Sequence, residues 1–562
     1  MSPTSLTVTG YGVSPGLACA PLIRMTPPVV TDPDEAPGDD PGHEVQRIRR
    51  ALAEVAAQLR ALATGKTAGA ILEAGAAMAG DPALVRAAAG HIGRGTPTAH
   101  SLSLAIEAYC APLEATGGYM AERAADLRDI RDRAVALLTG VPMPGIPRPG
   151  HPFILAAADL SPADTAQLAD SDAVGLLTER GGPTGHTAIL ARSLGLPSVV
   201  GCPQALDLPD GTPLLLDGRA GTVETHPSPE RRRRALERAG TRTRPSTQGP
   251  GRTADEHAVR LLANIGTPAD ATRAAQADNE GVGLFRTEFL FLDRREPPSL
   301  DEQVEAYSRV FTHFEGREVT ARTLDAGSDK PLPFLRLPRE DNPALGIRGL
   351  RTAVLRPGIL ETQLEALVAA QRRTGARLRI MAPMVSTADE AAAFAGLARS
   401  LGAESVGIMI EVPSAALVAH QLLEYVDFAS IGTNDLAQYT LAADRTSDAL
   451  GAFLDPWQPA LLMLVAGVCG AARALGRPVG VCGEAAADPL LAAVLVGLGV
   501  SSLSMAAPAV ADVRDTLAQV TLEQCRRLTT AVRDTTGPAA ARAAVRELSE
   551  AFGADVPDGD GL

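Results

Sequence analysis

The stretch SVGIMIEVPSAALVAHQLLEYVDFASIGTND, residues 405–435, contains two apolar runs rich in β-branched residues, separated by a segment with helical spacing. A strand, a helix and a second strand in this order are typical of a parallel β/α unit. Each run ends in a carboxylate, Glu411 after the first and Asp435 after the second. The stretch therefore predicts two parallel strands whose C-terminal ends carry acidic groups.

Further apolar runs surround this unit and alternate with helical segments. Together the eight runs are VRLLANI, GVGLFR, EVTARTLD, RLRIMAPM, SVGIMIEV, VDFASIGT, PVGVCGE and VSSLSMA. Eight strands over about 250 residues match the size of a (β/α)8 barrel, whose functional groups lie at the C-terminal ends of the strands. The residues of interest at those ends are Asn264, Arg286, Arg322, Asp325, Met384, Glu411, Thr433, Asn434, Asp435, Cys482, Glu484, Ser504 and Met505. Their shared placement predicts one functional rim.

Carboxylates and guanidinium groups at these strand ends indicate a site for a metal ion and an anion. Glu411 and Asp435 end neighbouring strands, and two carboxylates completed by water and a phosphate suit Mg²⁺. Arg286 and Arg322 can each hold a carboxylate or phosphate through two hydrogen bonds. Unrelated acids, or arginines that only cap strands, would give the same local pattern. The interpretation therefore depends on the whole set sharing one rim.

Cys482, Arg348 and Arg445 are weaker candidates when each is taken alone. An unperturbed thiol has a pKa of about 8.5 and is mostly protonated at pH 7, so Cys482 can donate a proton, whereas a nucleophile would need its pKa lowered. The alternative for Cys482 is a small, buried strand residue. Arg348 lies in NPALGIRG and Arg445 in AADR, and neither segment alone identifies a ligand.

A different kind of signal lies in TERGGPTGHTAILARSLGLPSVVG, residues 178–201. A strand ends, a glycine-rich loop follows, and His186 opens a helix. Small residues let backbone N–H groups face an anion, and a helix N-terminus adds partial positive charge. The neutral imidazole of a histidine can act as a nucleophile near pH 7. His186 is therefore a candidate to carry or contact a phosphoryl group, and an ordinary histidine at a helix start is the alternative.

The order of segments predicts the domain organisation. Residues 43–140 are rich in Ala, Leu, Glu and Arg with helical spacing, and short strands precede and follow them. The simplest topology inserts a helical bundle into one α/β domain. Residues 227–257 are charged and then rich in Pro, Ser, Thr and Gly, which predicts a helix that runs into a flexible linker.

Composition excludes several classes of protein. The chain has 562 residues, 45% of them apolar, and a formal net charge of −14. This charge argues against nucleic acid or an anionic membrane as the main partner and favours a basic protein. Dispersed cysteines without a CxxC pair argue against a zinc cluster.

The N-terminus lacks a signal-peptide pattern, so we expect a cytoplasmic protein with reduced thiols and no membrane insertion. The uncharged residues 489–511 predict a buried helix and a buried strand.

These motifs resemble enzyme I of the phosphoenolpyruvate–sugar phosphotransferase system over nearly the whole chain. The matching segments are SPGLA, ERAADLRDI, DLSPADTAQL, GGPTGHTAILARSLGLPSVVG, ANIGT, GVGLFRTEFLF, ARTLDAGSDKPLP, NPALGIRGLR, IMAPMVS, GIMIEVPSAAL, VDFASIGTNDLAQYTLAADR and GVCGEAA. The histidine segment and SIGTNDL are highly specific when they occur together. The resemblance implies a multidomain α/β fold, in which a swivelling β/α phosphohistidine domain with an inserted all-helical bundle precedes a (β/α)8 TIM-type barrel.

The resemblance also implies an activity, that of a phosphoenolpyruvate–protein phosphotransferase. Such an enzyme would phosphorylate its own His186, release pyruvate and pass the phosphoryl group to the phosphocarrier protein HPr, as the first step of sugar uptake. Cys482 would protonate the departing enolate, and Glu411 and Asp435 would hold Mg²⁺. The residues expected to bind phosphoenolpyruvate are Arg286, Arg322, Asn434, Asp435, Arg445 and Arg348.

The resemblance assigns each part of the chain a task. The phosphohistidine domain would comprise residues 1–28 and 145–226, and residues 29–144 would be the inserted helical domain that binds the carrier. Residues 227–257 would form the linker helix and the flexible linker. Residues 258–550 would form the phosphoenolpyruvate-binding barrel, which would also make a homodimer.

The chain departs from the family pattern at four positions. Pro183 and Gly185 stand where Arg and Ser are common, Ser328 stands where a second Gly is usual, and Gly75 stands where relatives commonly have His. None of these changes removes an assigned catalytic residue.

Two other readings of the sequence are disfavoured. Phosphoenolpyruvate synthase and pyruvate phosphate dikinase resemble the histidine domain and the barrel, but they need a large ATP-binding domain that nothing before residue 150 supplies. A non-catalytic regulator with the same fold is disfavoured because the set of rim residues is complete. No N-terminal sensory domain is evident, so we expect the sugar branch rather than the nitrogen-linked branch.

Overall fold

The computed structural model describes most of the chain. The described residues are 6–14, 16–27, 29–63, 69–116, 118–141, 143–160, 164, 168, 171–182, 187–188, 191, 194–218, 220–233, 247–292, 294–327, 332–338, 340–445 and 448–554. They fall into two compact units, one up to residue 242 and one from residue 243. This division lies inside the stretch 227–257 that the sequence predicts as a linker.

A mixed sheet forms the centre of the first unit. Its strands are β1 Thr7–Thr9, β2 Tyr11–Ser14, β3 Leu17–Arg24, β4 Phe153–Ala157, β5 Ala173–Thr178, β6 Ser198–Val200, β7 Pro213–Asp217 and β8 Thr222–Thr225. Their order across the sheet is β1-β8-β7-β3-β4-β5-β6-β2. The strands β3 to β6 are parallel, and the other neighbours are antiparallel. Every residue of β4 is buried, as expected for a central strand that is covered on both faces.

A helical bundle interrupts this sheet in sequence. Its helices are α1 Pro41–Ala63, α2 Gly69–Ala79, α3 Pro82–Ile92, α4 Thr98–Thr116 and α5 Gly118–Thr139. The neighbouring strands β3 and β4 pair directly, with Leu22 opposite Ile154, so the bundle is an insertion within one sheet. Its α1 buries a stripe at helical spacing that includes Ile48, Leu52 and Val55. The bundle therefore has an apolar core of its own.

A closed barrel forms the second unit. Its strands are β9 Arg260–Ile265, β10 Gly281–Arg286, β11 Glu318–Arg322, β12 Arg377–Ala382, β13 Val406–Ile410, β14 Phe428–Gly432, β15 Val479–Cys482 and β16 Ser502–Met505. Each strand is parallel to the next, and β16 pairs with β9. Every apolar run that the sequence analysis picked out has become a barrel strand. The predicted multidomain α/β class with a (β/α)8 barrel is confirmed.

Helices and short 3-10 turns connect and cover the barrel strands. The helices are Pro268–Gln276, Leu300–Thr312, Thr352–Leu355, Pro357–Thr374, Ala388–Ser400, Pro413–Leu417, Ala419–Leu423, Thr433–Leu441, Pro459–Leu475, Glu484–Ala487, Pro489–Leu498, Val510–Leu517, Leu522–Arg533 and Pro538–Ala551. The 3-10 turns are Thr287–Leu290, Pro343–Leu345, Gly349–Arg351, Asp448–Leu454 and Ala507–Ala509. Several helices begin with a capping box; for example, the Ser299 hydroxyl accepts from the Glu302 backbone N–H while the Glu302 carboxylate accepts from that of Ser299.

Two apolar stretches of the barrel unit are core elements. Residues 489–511 form a buried helix, Pro489–Leu498, followed by the buried strand β16, as predicted. By length and composition, the helical stretch Leu450–Leu475 could cross a membrane. Within it, the helix Pro459–Leu475 buries Leu461, Val465 and Val468 in the barrel core and leaves Met463 exposed, which is typical of a helix that covers a barrel with one face.

The barrel unit begins before residue 258, where the sequence predicts its boundary. The backbone N–H of Thr247 donates to Asp515 at 2.8 Å, and that of Ala254 donates to the carbonyl oxygen of Val520 at 2.9 Å. A β-carbon on Gly251 would lie 2.2 Å from the carbonyl oxygen of Val259. In residues 247–257 the glycine-rich composition therefore permits close packing, whereas the sequence analysis takes it as a sign of flexibility.

Candidate active site

The predicted rim residues that the structure describes lie at the C-terminal mouth of the barrel. Arg286 and Arg322 are the last residues of β10 and β11 and stand opposite each other in register. Glu411 follows β13 directly, and Cys482 is the last residue of β15. Asp435 lies in the first turn of the helix that follows β14. Because all these strands are parallel, their ends meet at one side of the barrel.

Arg322 is more buried than Arg286, and two carboxylates contact its guanidinium group. Its Nη2 donates to Glu288 at 2.9 Å, and its Nη1 lies 2.9 Å from the carboxylate of Asp325. Burial disfavours the charged guanidinium, but these two carboxylates outweigh the effect and raise the pKa of Arg322. Its Nε is buried and has no hydrogen-bond partner among the described residues. This donor is therefore unsatisfied within the part of the chain that the structure describes.

Arg348 and Arg445 reach the rim from loops beyond the strand ends. Arg348 is buried and holds both oxygens of Asp325 at 3.0 Å through Nε and Nη2. Its Nη1 donates to one oxygen of Asp435 at 3.1 Å, and Arg445 donates to the other at 3.1 Å. Arg348 thus contacts both Asp325 and Asp435 from a buried position. Arg445 is half-buried and nearer to solvent.

Glu411 is buried and surrounded by negative charge. Its Oε1 accepts a 2.7 Å hydrogen bond from the backbone N–H of Met384, whose φ is 59°. Burial, followed by the charges of Asp435 and Asp325, raises the pKa of Glu411 to about 8. A β-carbon on Gly432 would lie 2.9 Å from Oε2 of Glu411. The glycine therefore leaves space for this carboxylate oxygen.

The acidic groups of the rim fit a divalent cation. Asp325 and Asp435 are near enough to Glu411 to disfavour its charged form, and a bound cation would relieve that repulsion. Among the residues that the structure describes, no three His, Cys, Asp or Glu side chains already form a metal site. Two carboxylates completed by water and a substrate phosphate are an arrangement that Mg²⁺ commonly adopts. The donor set is therefore compatible with the predicted ligands Glu411 and Asp435.

Cys482 points into an apolar part of the barrel interior. It packs in a buried cluster with Leu284, Met381, Met409 and Phe428. Its Sγ donates to the carbonyl oxygen of Ile431 at 3.5 Å. Burial raises the pKa of the Cys482 thiol above its usual range, although a hydrogen bond with Ser430 opposes the shift. The thiol is therefore a protonated group at neutral pH.

Arg286 and Asn434 are the more accessible polar residues of the rim. Solvent reaches Arg286, yet the protein atoms around the guanidinium desolvate it, and this effect, with the positive charge of Arg322, lowers the pKa of Arg286. Asn434 is half-buried. A β-carbon on Gly483, whose φ is 110°, would lie 3.4 Å from Oδ1 of Asn434. Both side chains therefore border the open mouth.

His186 lies outside the described residues, and only some of its neighbours in sequence are described. The preceding strand β5 ends at Thr178, and Gly181 has a φ of 101°. The buried Thr187 donates from Oγ1 to Asp159 at 3.0 Å. Ser328 and Pro183 also lie outside the described residues, as does Gly185. Gly75 is buried in α2.

Two residues that organise the rim, Glu288 and Gln363, are not among those predicted from the sequence. Glu288, which holds Arg322, follows Arg286 by two positions in GLFRTEFLF. Its closeness to a strand end was an available signal. Gln363 is fully buried and donates to Thr287 at 2.9 Å. Gln363 lies on the helix Pro357–Thr374. A polar residue on a helix is expected to face solvent, so the sequence alone does not indicate that this glutamine is buried.

Comparison with protein families matches the chain in three consecutive parts. Residues 9–123 match the family described as "PEP-utilising enzyme, N-terminal". Residues 149–221 match "PEP-utilising enzyme, mobile domain", and residues 241–522 match "PEP-utilising enzyme, PEP-binding domain". The last of these contains every rim residue described above.

Similar curated proteins carry consistent names. A phosphoenolpyruvate-protein phosphotransferase of Streptomyces coelicolor is 48% identical over 551 residues, which are 96% of this chain and 99% of that protein. The phosphoenolpyruvate-protein phosphotransferase of Bacillus subtilis is 37% identical over 92% of this chain and 95% of its own length. A multiphosphoryl transfer protein of Xanthomonas campestris pv. campestris is 39% identical over 89% of this chain and 62% of that protein.

Proposed function

Since the chain belongs to the phosphoenolpyruvate-protein phosphotransferase family, we propose that it transfers the phosphoryl group of phosphoenolpyruvate first to its own His186 and then to a histidine of the phosphocarrier protein HPr, as the first step of sugar uptake. The chain is a transferase, and phosphoenolpyruvate is its substrate. The observation that carries the proposal is the meeting of guanidinium groups, carboxylates and a protonated thiol at one barrel mouth.

The arginines hold the two anionic groups of the substrate. Arg322 offers its Nε, which has no partner among the described residues. Arg286, which precedes Arg322 in the sequence, and Arg445, which follows it, also lie at the mouth. Asn434 supplies an amide at the same opening, and the buried Arg348 fixes the acids behind it. Guanidinium groups fixed in advance bind the charged groups of the substrate at a low cost in reorganisation.

Glu411 and Asp435 hold Mg²⁺ in this proposal. When bound, the ion would neutralise charge on the phosphate as it leaves the enolate. The carboxylate of Glu411 would then be ionised, because a nearby cation offsets the burial and repulsion that otherwise favour its protonated form. The role of Asp435 is shared with substrate binding, since it lies in the same turn as Asn434.

Phosphoryl transfer and proton transfer then follow from the remaining residues. A ring nitrogen of His186 attacks phosphorus, so a nitrogen–phosphorus bond forms as the bond from phosphorus to the enolate oxygen breaks. The enolate takes a proton from the Cys482 thiol onto its terminal carbon, which gives pyruvate. The thiol is suited to this step because burial keeps it protonated.

The partner and the assembly belong to the same proposal. His186 and the barrel rim lie in different units of the chain, so the phosphohistidine domain has to reach both the barrel and the carrier during a cycle. We assign carrier binding to the inserted bundle and homodimer formation to the barrel. A cytoplasmic location agrees with the reduced cysteines among the described residues.

Labelling with phosphoenolpyruvate tests the proposal directly. In the presence of Mg²⁺, phosphoenolpyruvate labelled on phosphorus should give one acid-labile, alkali-stable phosphate, located at His186 by mass spectrometry. His186→Ala should abolish the label, whereas His151→Ala should not, because His151 is exposed and lies outside the glycine-rich segment 178–201. Full labelling of the His186 variant would show that the phosphoryl acceptor is another residue.

A further inference from the structure

A short 3-10 turn, Thr287–Leu290, follows β10 directly and carries a carboxylate into the rim. Oε1 of Glu288 accepts from Nη2 of Arg322 at 2.9 Å and from the backbone N–H of Asp325 at 3.0 Å. One oxygen thus contacts both the guanidinium and the loop after β11. The side chain of Glu288 is four-fifths buried, with 19% of its surface exposed.

Buried hydrogen bonds fix the turn itself. Oγ1 of Thr287 donates to the carbonyl oxygen of Arg322 at 2.8 Å and accepts from Nε2 of Gln363 at 2.9 Å. Oε1 of Gln363 accepts from the backbone N–H of Leu324 at 2.9 Å. Its Nε2 also lies 3.0 Å from the hydroxyl of Tyr307. Because Thr287, Gln363 and Tyr307 are fully buried, this network gives the turn one position relative to β11.

The other acid beside Arg322 is shared. Asp325 lies 2.9 Å from Nη1 of Arg322, but both of its oxygens also accept from Arg348. Glu288 is the carboxylate that holds Nη2, and Nε remains without a partner among the described residues. A guanidinium is planar, so fixing Nη1 and Nη2 fixes the direction in which Nε points.

We infer that Glu288 is a positioning residue for Arg322: it holds the guanidinium plane so that Nε faces the anionic substrate. The inference rests on the proposed role of Arg322 in binding phosphoenolpyruvate. This role requires a side chain long enough to place an oxygen within hydrogen-bond distance of Nη2 of Arg322. The negative charge of Glu288, taken alone, would repel the substrate.

Two conservative substitutions separate reach from charge. Glu288→Gln keeps an oxygen at the same distance and loses the charge, whereas Glu288→Asp keeps the charge and withdraws the oxygen by one methylene. We expect Glu288→Asp to raise KM for phosphoenolpyruvate by about 10- to 100-fold with kcat changed by less than about threefold, because Arg322 binds substrate and transition state alike. We expect KM of Glu288→Gln to stay within about threefold of the parent.

The experiment uses the full chain with saturating Mg²⁺ and phosphocarrier, and follows pyruvate release. Glu296→Gln is the matched control, because Glu296 is an exposed acid eight residues further along, and it should leave KM unchanged. The thermal midpoint of each variant shows whether the barrel is intact. If Glu288→Gln raises KM for phosphoenolpyruvate as much as Glu288→Asp does, or more, the effect depends on the charge of Glu288 and the inference is overturned.

A double-substitution cycle distinguishes this inference from the proposed function. Arg322→Ala should raise KM strongly, and Glu288→Asp in that background should add less than about twofold, since the group to be positioned is gone. Additive effects would overturn the inference while leaving Arg322 as a substrate ligand. An unchanged KM in Arg322→Ala would contradict the role of Arg322 in the proposed function, and the inference about Glu288 would fall with it.

Discussion

Individual groups at the barrel mouth have pKa values that differ from those of the free side chains. Burial and neighbouring acids raise the pKa of Glu411 to about 8, and burial raises the pKa of Cys482. Both shifts favour the neutral acid, but the consequences differ. A cation could restore the charge of Glu411, whereas the apolar cluster around Cys482 favours the protonated thiol that the proposed mechanism requires.

Substitution of Cys482 should separate the two half-reactions. We expect Cys482→Ala to slow pyruvate formation by about 10²- to 10⁴-fold, the usual contribution of a general acid. Exchange of phosphate between His186 and the phosphocarrier should stay within about twofold, because the proposed mechanism gives no rim residue a part in that exchange. Rapid-quench measurement of each step checks this. Equal losses in both steps would show that the thiol has a structural role.

The pH dependence of the same step follows from the direction of the shift. A raised pKa means that the Cys482 thiol stays protonated up to a higher pH than an exposed thiol, which titrates near about 8.5. The acid form is therefore present through neutral pH and is lost only as pH rises through the raised value. We expect the alkaline decline of kcat to begin above about pH 8.5 and to be absent in Cys482→Ala.

Among the secondary-structure elements, the end of β14 depends on a glycine for a steric reason. Gly432 has a φ of −88°, which any residue adopts, but its β-carbon would lie 2.9 Å from Oε2 of Glu411 and 3.2 Å from Sδ of Met409. The absence of a side chain at position 432 therefore lets the Glu411 carboxylate keep its position beside the helix start.

Gly432→Ala should therefore weaken metal binding. We expect it to raise the Mg²⁺ concentration for half-maximal phosphorylation by about 10-fold or more, since displaced ligands commonly cost this much affinity. The matched control is Gly467→Ala, because a β-carbon on Gly467 meets nothing within 4 Å. Titration of phosphoenolpyruvate-dependent labelling with Mg²⁺ gives the comparison. An unchanged Mg²⁺ requirement would argue against Glu411 as a ligand.

The helix Pro489–Leu498 depends on one residue for its start and for a buried partner. Asp488 accepts from the backbone N–H groups of Leu490 and Leu491 at 3.0 and 3.2 Å, and from Nε1 of Trp457 at 2.7 Å. Asp488→Ala removes the cap and leaves a buried indole N–H without a partner. We expect the barrel unit to lose about 2–4 kcal/mol in its free energy of unfolding.

The fluorescence of Trp457 reports this change, because the chain has one tryptophan. Unfolding in urea should shift to a lower midpoint for Asp488→Ala and by less for Asp488→Asn, which keeps an oxygen for the cap. A midpoint equal to that of the parent would show that the Trp457 contact and the cap contribute little.

For the whole molecule, sequence patterns predict the architecture better than the detail of the site. The barrel strands could be predicted because buried strands appear in the sequence as short apolar runs rich in β-branched residues, as in VGIMI before Glu411. Groups that act at strand ends follow from the parallel order of the strands. The closeness of Glu288 to a strand end was a signal in the sequence, but its contact with Arg322 could not be predicted, since that contact depends on the geometry of the 3-10 turn Thr287–Leu290. The buried orientation of Gln363 likewise depends on tertiary packing.

The division into two units allows a prediction about the whole chain. Residues 1–227 contain the complete first sheet, whose last strand β8 ends at Thr225, together with the inserted bundle. They contain His186 and none of the rim arginines, carboxylates or the thiol. A fragment ending at Pro227 should therefore fold alone, since the sheet and the bundle each have their own apolar core. It should be monomeric, because we assign the dimer surface to the barrel.

Each phosphoryl donor should then act on the fragment differently. Phosphorylated carrier should label His186 without Mg²⁺, because we assign carrier binding to the bundle, and the proposed metal ligands Glu411 and Asp435 lie in the other unit. Phosphoenolpyruvate should give no label, because in the proposed mechanism its anionic groups bind Arg322 and the neighbouring rim residues. Circular dichroism and sedimentation would first establish a folded monomer, and mass spectrometry would then follow labelling by each donor. Labelling by phosphoenolpyruvate alone would place its binding site in the first unit, and the assignment of the barrel rim as the substrate site would be wrong.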